Sequence, residues 1–118
     1  MKIIIAGGRE FNDYDLLCQN CDKALSLQTE IEIVSGTANG ADKLGEKYAN
    51  EKGYPIKQFP ADWDKYGKSA GYKRNEEMAK YGDALIAFWD GKSKGTKHMI
   101  DLAKRYELKV KVVIFNLT

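Results

Sequence analysis

The stretch Ala84-Leu85-Ile86-Ala87-Phe88-Trp89-Asp90-Gly91-Lys92-Ser93-Lys94-Gly95-Thr96 decides the fold. Its first six residues are continuously apolar, the habit of a central strand in a parallel sheet, where helices cover both faces. A glycine-rich polar turn follows, and then a helical pattern over Thr96 to Tyr106. The same grammar occurs twice upstream. Ile3-Ile4-Ile5-Ala6 runs into Gly7-Gly8-Arg9, and Ile31-Glu32-Ile33-Val34 runs into Ser35-Gly36-Thr37-Ala38-Asn39-Gly40-Ala41-Asp42. A strand, a glycine turn and a helix start make an anion cradle: glycine lets the backbone come close, and the free amides of the first helical turn point at the ligand. Three such turns predict a shared site at one edge of a sheet.

Between these runs, strand and helix patterns alternate strictly. Strands are expected at Lys2 to Ala6, Glu30 to Val34, Ile56 to Phe59, Ala84 to Trp89 and Lys109 to Phe115. Helices are expected at Asp13 to Leu27, Gly40 to Lys52, Gly71 to Tyr81 and Thr96 to Tyr106. Gly53 and Pro55 stop the second helix. Alternation of this kind implies parallel strands joined by right-handed crossovers. The expected fold is α/β: a Rossmann-like three-layer α/β/α sandwich around a five-stranded sheet of order 3-2-1-4-5, with residues 1–118 as one domain. The first and fourth strands are then central neighbours, and their turns face each other at the switch point where such sheets bind ligands.

The 118 residues carry a formal net charge of +2, which does not by itself indicate nucleic acid. No apolar run approaches the ~20 residues of a membrane span, and Met1-Lys2-Ile3 enters a strand at once, so a cytoplasmic protein without a membrane partner is expected. The two cysteines, Cys18 and Cys21, fall well inside the first helix, where packing is the expected role. Two thiols and one histidine, His98, make no metal site. No cofactor is expected either. The turns lack both the lysine of a Walker A loop and the third glycine of G-x-G-x-x-G.

The candidate ligand and phosphate residues are those of the turns and of the third helix start. The first turn supplies Gly7, Gly8 and Arg9; the second supplies Ser35, Gly36, Thr37, Gly40 and Asp42. Asp42 either caps its helix or accepts from a ribose hydroxyl. The third turn supplies Asp90, Gly91, Lys94, Gly95 and Thr96, with Thr96 as the expected helix cap. Arg74 and Asn75 open the third helix, where a basic residue is disfavoured unless an anion is present. The connection from Pro60 to Ala70 exceeds the usual ~2 to 6 residues, as a binding loop or lid does. Trp63 and Tyr66 on it, and Phe11 beside the first turn, are candidate base-stacking or lid aromatics.

Ile5-Ala6-Gly7-Gly8-Arg9-Glu10-Phe11, the run Val34 to Asp42, Arg74-Asn75 and the run Trp89 to Thr96 together resemble the YspA-like, YpsA-related branch of the SLOG superfamily, which joins the SMF/DprA and LOG families. The resemblance spans essentially the whole chain. It implies a Rossmann-like fold, a nucleotide or nucleotide-derived ligand (in some members a bacterial defence signal) and self-association into a homo-oligomer. LOG members are phosphoribohydrolases with the motif P-G-G-x-G-T-x-x-E, whose glutamate assists glycosidic cleavage. Here Gly95-Thr96 leads to Met99 at that position. Losing a general acid or base typically lowers a rate ~10² to 10⁴-fold. The expectation is therefore a nucleotide-derived small molecule held by a sensor or sequestering protein, with no catalytic residue. Two alternatives stand beside it: LOG-like cleavage of a nucleoside monophosphate, and DprA-like binding of single-stranded nucleic acid, for which lysines interleaved with Trp63 and Tyr66 are the recipe.

Overall fold

A computed structural model describes residues 1–116. In chain order the elements are β1 (Lys2–Gly7), α1 (Tyr14–Leu25), β2 (Glu32–Ser35), α2 (Ala41–Lys52), β3 (Ile56–Gln58), α3 (Trp63–Tyr66), a 3-10 turn (Gly67–Ser69), α4 (Ala70–Tyr81), β4 (Ala84–Trp89), α5 (Lys94–Arg105) and β5 (Lys109–Ile114). All pairings are parallel and the sheet order is β3-β2-β1-β4-β5, the expected Rossmann-like arrangement. No helix among the described residues is long and apolar enough to cross a membrane.

Alternation along β1 divides the core. Ile3 and Ile5 point to the face where Leu17, Cys21 and Leu25 of α1 meet Tyr48 and Ala49 of α2. Ile4 and Ala6 point to the other face, against Met78 and Ala79 of α4 and Met99, Leu102 and Ala103 of α5. Both faces of β1 are therefore dry, which is why its run and that of β4 are continuously apolar. Cys21 packs in the first of these layers and Cys18 is half-buried; both are free thiols. Burial pushes the Cys21 thiol up to about 12, the behaviour of a small core hydrophobe.

Three local differences from the sequence expectation matter for the site. The connection between β3 and α4 is not irregular. The carboxylate of Asp62 accepts from the amide of Lys65 at 3.1 Å and starts α3. The cap of α5 is Ser93, not Thr96. Ser93 Oγ accepts from the Thr96 amide at 3.5 Å and from Thr96 Oγ1 at 3.2 Å, and Thr96 is buried in the first turn. Phe11 is a core residue. It is 2% exposed, stacked on Phe88 and edge-on to Phe115, each at 4.8 Å between ring centroids. It therefore has no face left for a ligand base.

Candidate functional site

The ends of β1 and β4 frame a cleft of about 470 Å³, the size of an ordinary ligand pocket. Its floor is apolar, made by Ala6, Met78 and Met99. The first turn forms one wall, the start of α5 the other, and α4 closes the side with Arg74, Asn75 and Tyr72. Trp63 of α3, half exposed, stands at the mouth. A second chamber of about 240 Å³ adjoins it, lined by Gly36 and Thr37 among others.

The three glycine turns reach this edge in different states. In the first, the Gly8 amide donates to Phe88 O at 3.0 Å, and Gly8 O accepts from the amides of Phe11 and Ala41, each at 3.2 Å. Gly7 lets this happen, because a Cβ there would meet Phe88 O and lie 2.9 Å from Ala41 Cβ. The second turn closes on itself. The Thr37 amide donates to Ser35 Oγ at 3.0 Å and the Ala38 amide to Asp42 Oδ2 at 3.1 Å. The Ala41 amide at the start of α2 is the one taken by Gly8 O. Gly40 makes that approach possible: its φ is +78°, and a Cβ would run into the carbonyls of Gly8 and Arg9. Ser35 is buried and donates to Glu46 Oε2 at 2.6 Å. Asp42 does not act through its side chain as the cap of α2, whose cap is Gly40.

The third turn is open. Asp90 gathers the amides of Lys92 and Ser93, each at 2.8 Å, and Ser93 takes that of Thr96. The amides of Lys94 and Gly95 have no partner among the described residues, and the space beside Gly95 Cα is empty within 4 Å. These two donors stand at the positive end of α5, where a helix start favours negative charge, beside the cleft that Gly95 lines.

Arg74 ties the second turn to the third. Its Nη1 donates to Gly36 O and its Nε to Asn75 Oδ1 at 3.1 Å. Asn75 Nδ2 in turn donates to Gly95 O at 3.3 Å and approaches His98 Nδ1 at 3.2 Å. Since the amide nitrogen donates, His98 Nδ1 accepts and the neutral ring carries its proton on Nε2. Burial holds the His98 pKa down. The ring, edge-on to Tyr72 at 4.5 Å, braces Asn75 and does not line the cleft. Burial also lowers the pKa of Arg74, helped by the like charge of Arg9 and opposed by Asp42. Asp42, 4% exposed, has its pKa pushed up to about 6 by burial; the Ala38 amide, Arg74 and Arg9 resist the shift. Arg9 has no side-chain partner among the described residues and lines both chambers.

Of the candidate residues, Gly7, Gly8, Arg9, Asp42, Arg74, Asn75, Asp90, Gly95, Thr96 and Trp63 line the main cleft. Gly36 and Thr37 line the side chamber. Ser35, Gly40, Phe11, Gly91, Lys94 and Tyr66 line neither. Sequence reasoning missed Met78, Tyr72 and Phe115. Helical spacing carried a signal for the first of these: Gly71, Arg74, Asn75 and Met78 recur on one face of α4. Among the described residues, no three of His, Cys, Asp and Glu are grouped as a metal site.

Comparison with known proteins bears on the family and the fold. Residues 1–66 match the model of the "YspA, cpYpsA-related SLOG family". The Gene 61 protein of Mycobacterium phage D29 is 30% identical, covering 92% of this chain and 93% of that one. In fold, DNA processing protein A from Helicobacter pylori, described with a single-stranded DNA binding mode, is similar at a TM-score of 0.65. That likeness covers all of this chain and 67% of the other, at 20% identity.

Proposed function

This chain belongs to the YspA, cpYpsA-related SLOG family, and from that premise we propose that its cleft binds a nucleotide-derived, phosphate-bearing small molecule and holds it without turnover. The observation that carries the reading is that the start of α5, with its two open amides, meets the cleft at Gly95, and the anchored guanidinium of Arg74 lines the same cleft. Amides at a helix start and a fixed guanidinium are both well suited to phosphate. The apolar floor of Met78 and Met99 suits a base or sugar face. Met99 is 1% exposed and stands where a LOG-like acid would be, which favours holding over cutting. A sensor or a sequestering protein is the role that fits. The phage origin of the relative favours sequestration of a bacterial defence signal over sensing.

Calorimetry with mono-, di- and cyclic nucleotides tests the reading, with chromatography of the same mixtures afterwards. Saturable binding and an intact nucleotide are expected, with Arg74→Ala weakening it about 100-fold, the worth of a lost charge-assisted contact. Release of free base would replace this reading with the phosphoribohydrolase one. A second reading, single-stranded DNA binding, draws on exposed Trp63 and Tyr66, the latter with the ammonium groups of Lys65 and Lys73 at 5.1 and 5.5 Å from its ring, and on the fold neighbour. A tight gel shift that persists at moderate salt would favour it over the small molecule.

A further inference from the structure

The two chambers meet at a waist. The side chamber has Gly36, Thr37, Asn39, Pro60 and Ala61 to itself, while Arg9, Ala38, Trp63 and Arg74 line both chambers. Two guanidinium groups therefore stand where the chambers join, and the charge of Arg9 opposes that of Arg74. Arg74 is fixed through Nε and Nη1, which leaves Nη2 as its spare donor edge; Arg9 is unpaired among the described residues. The buried carboxylate nearest to them, Asp42, is engaged by the Ala38 amide. Like charges held at a constriction favour an anion carrying more than one charge. Thr37 adds a second sign of a built chamber. It is β-branched yet held at a φ of +66°, a conformation that concentrates at ligand sites.

We propose that the ligand is a nucleotide of two parts joined by a pyrophosphate. Its nucleoside lies over the methionine floor of the main cleft, its two phosphates lie between the start of α5 at Gly95 and the guanidinium groups of Arg9 and Arg74, and a second sugar enters the side chamber beside Thr37 and Asn39. Small and polar groups there suit hydroxyls better than a second base. This inference rests on the nucleotide reading above and narrows it to one ligand class.

Calorimetry with two matched pairs tests it: ADP against ADP-ribose, and UDP against UDP-glucose. Charge alone would rank each diphosphate above its sugar-bearing partner, so the expected order is the opposite one. At least one sugar-bearing ligand should bind about tenfold or more tighter than its diphosphate. Ala61→Trp, which fills only the side chamber, should abolish that advantage; Ala61→Leu serves in its place if thermal melting shows the larger variant unfolded. Diphosphates binding as tightly as their partners, or an advantage that survives both Ala61 variants, would overturn the two-part ligand and leave nucleotide binding standing. No binding by any of the four would overturn both.

Discussion

The turn after β2 uses the amides of Thr37, Ala38 and Ala41 inside the fold, whereas the turn after β4 leaves the amides of Lys94 and Gly95 without a partner among the described residues, beside the cleft that Gly95 lines. Both read as glycine-rich strand-to-helix turns. What separates them is a neighbour. Gly8 O, brought over by β1, occupies the start of α2, while among the described residues nothing comparable reaches the start of α5. A glycine in the first case permits backbone to meet backbone, and in the second it keeps a surface clear. The comparison breaks most sharply at Gly40 and Gly95. Gly40→Ala should destabilise the protein by about 3 kcal/mol or more, since it combines a φ of +78° with a collision against two carbonyls. Gly95→Ala meets nothing within 4 Å and should hold or raise stability by up to ~1 kcal/mol, while weakening ligand binding about tenfold. Urea denaturation and calorimetry on the two variants measure both halves. If Gly40→Ala melts like the wild type, the second turn is not closed in the way described.

Much of this was legible in the sequence, for a physical reason. A strand dry on both faces needs an unbroken apolar run, so β1 and β4 announced themselves, and right-handed crossovers then fixed their adjacency. Approach between segments distant in sequence was not legible. Phe11 looks like a loop aromatic until β4 and β5 deliver Phe88 and Phe115 against it. Ser93 and Thr96 are both competent caps three residues apart, and only the burial of Thr96 decides between them. Arg74 was singled out as a charge at a helix start, but α4 begins at Ala70 and places it in the second turn, and its anchors, Gly36 O and Asn75, were not legible.

Asp42 sharpens the comparison next, because a closed turn with a buried carboxyl has a pH signature. Its folded pKa of about 6 lies above the ordinary carboxylate value. Between the two, the folded protein holds a proton on Asp42 that the unfolded chain does not, so this residue's contribution to stability is greatest at low pH and is lost as pH rises through 6. The groups facing it are the Ala38 amide, Arg74, Arg9 and Glu46. Asp42→Asn keeps an acceptor for the Ala38 amide and removes the titration. The variant should therefore lose less stability than the wild type between pH 4.5 and pH 7.5, by on the order of 2 kcal/mol. Denaturation at the two pH values reads this directly. A variant less stable than the wild type at pH 7.5 would mean that ionised Asp42 holds the turn through Arg74.

The smallest effect belongs to Lys94, and its smallness is the point. A lysine at the first position of α5, beside the proposed anion site, invites the view that its ammonium does the binding. Its side chain is exposed and absent from the walls of both chambers; what it contributes there is its main-chain amide. Lys94→Ala retains that amide. Ligand affinity should fall by about twofold or less at low salt, with the difference fading as screening increases. A tenfold loss that survives added salt would place the anion on the side chain, and the open turn would then owe its selectivity to surface charge and not to two unpaired donors at the end of a helix.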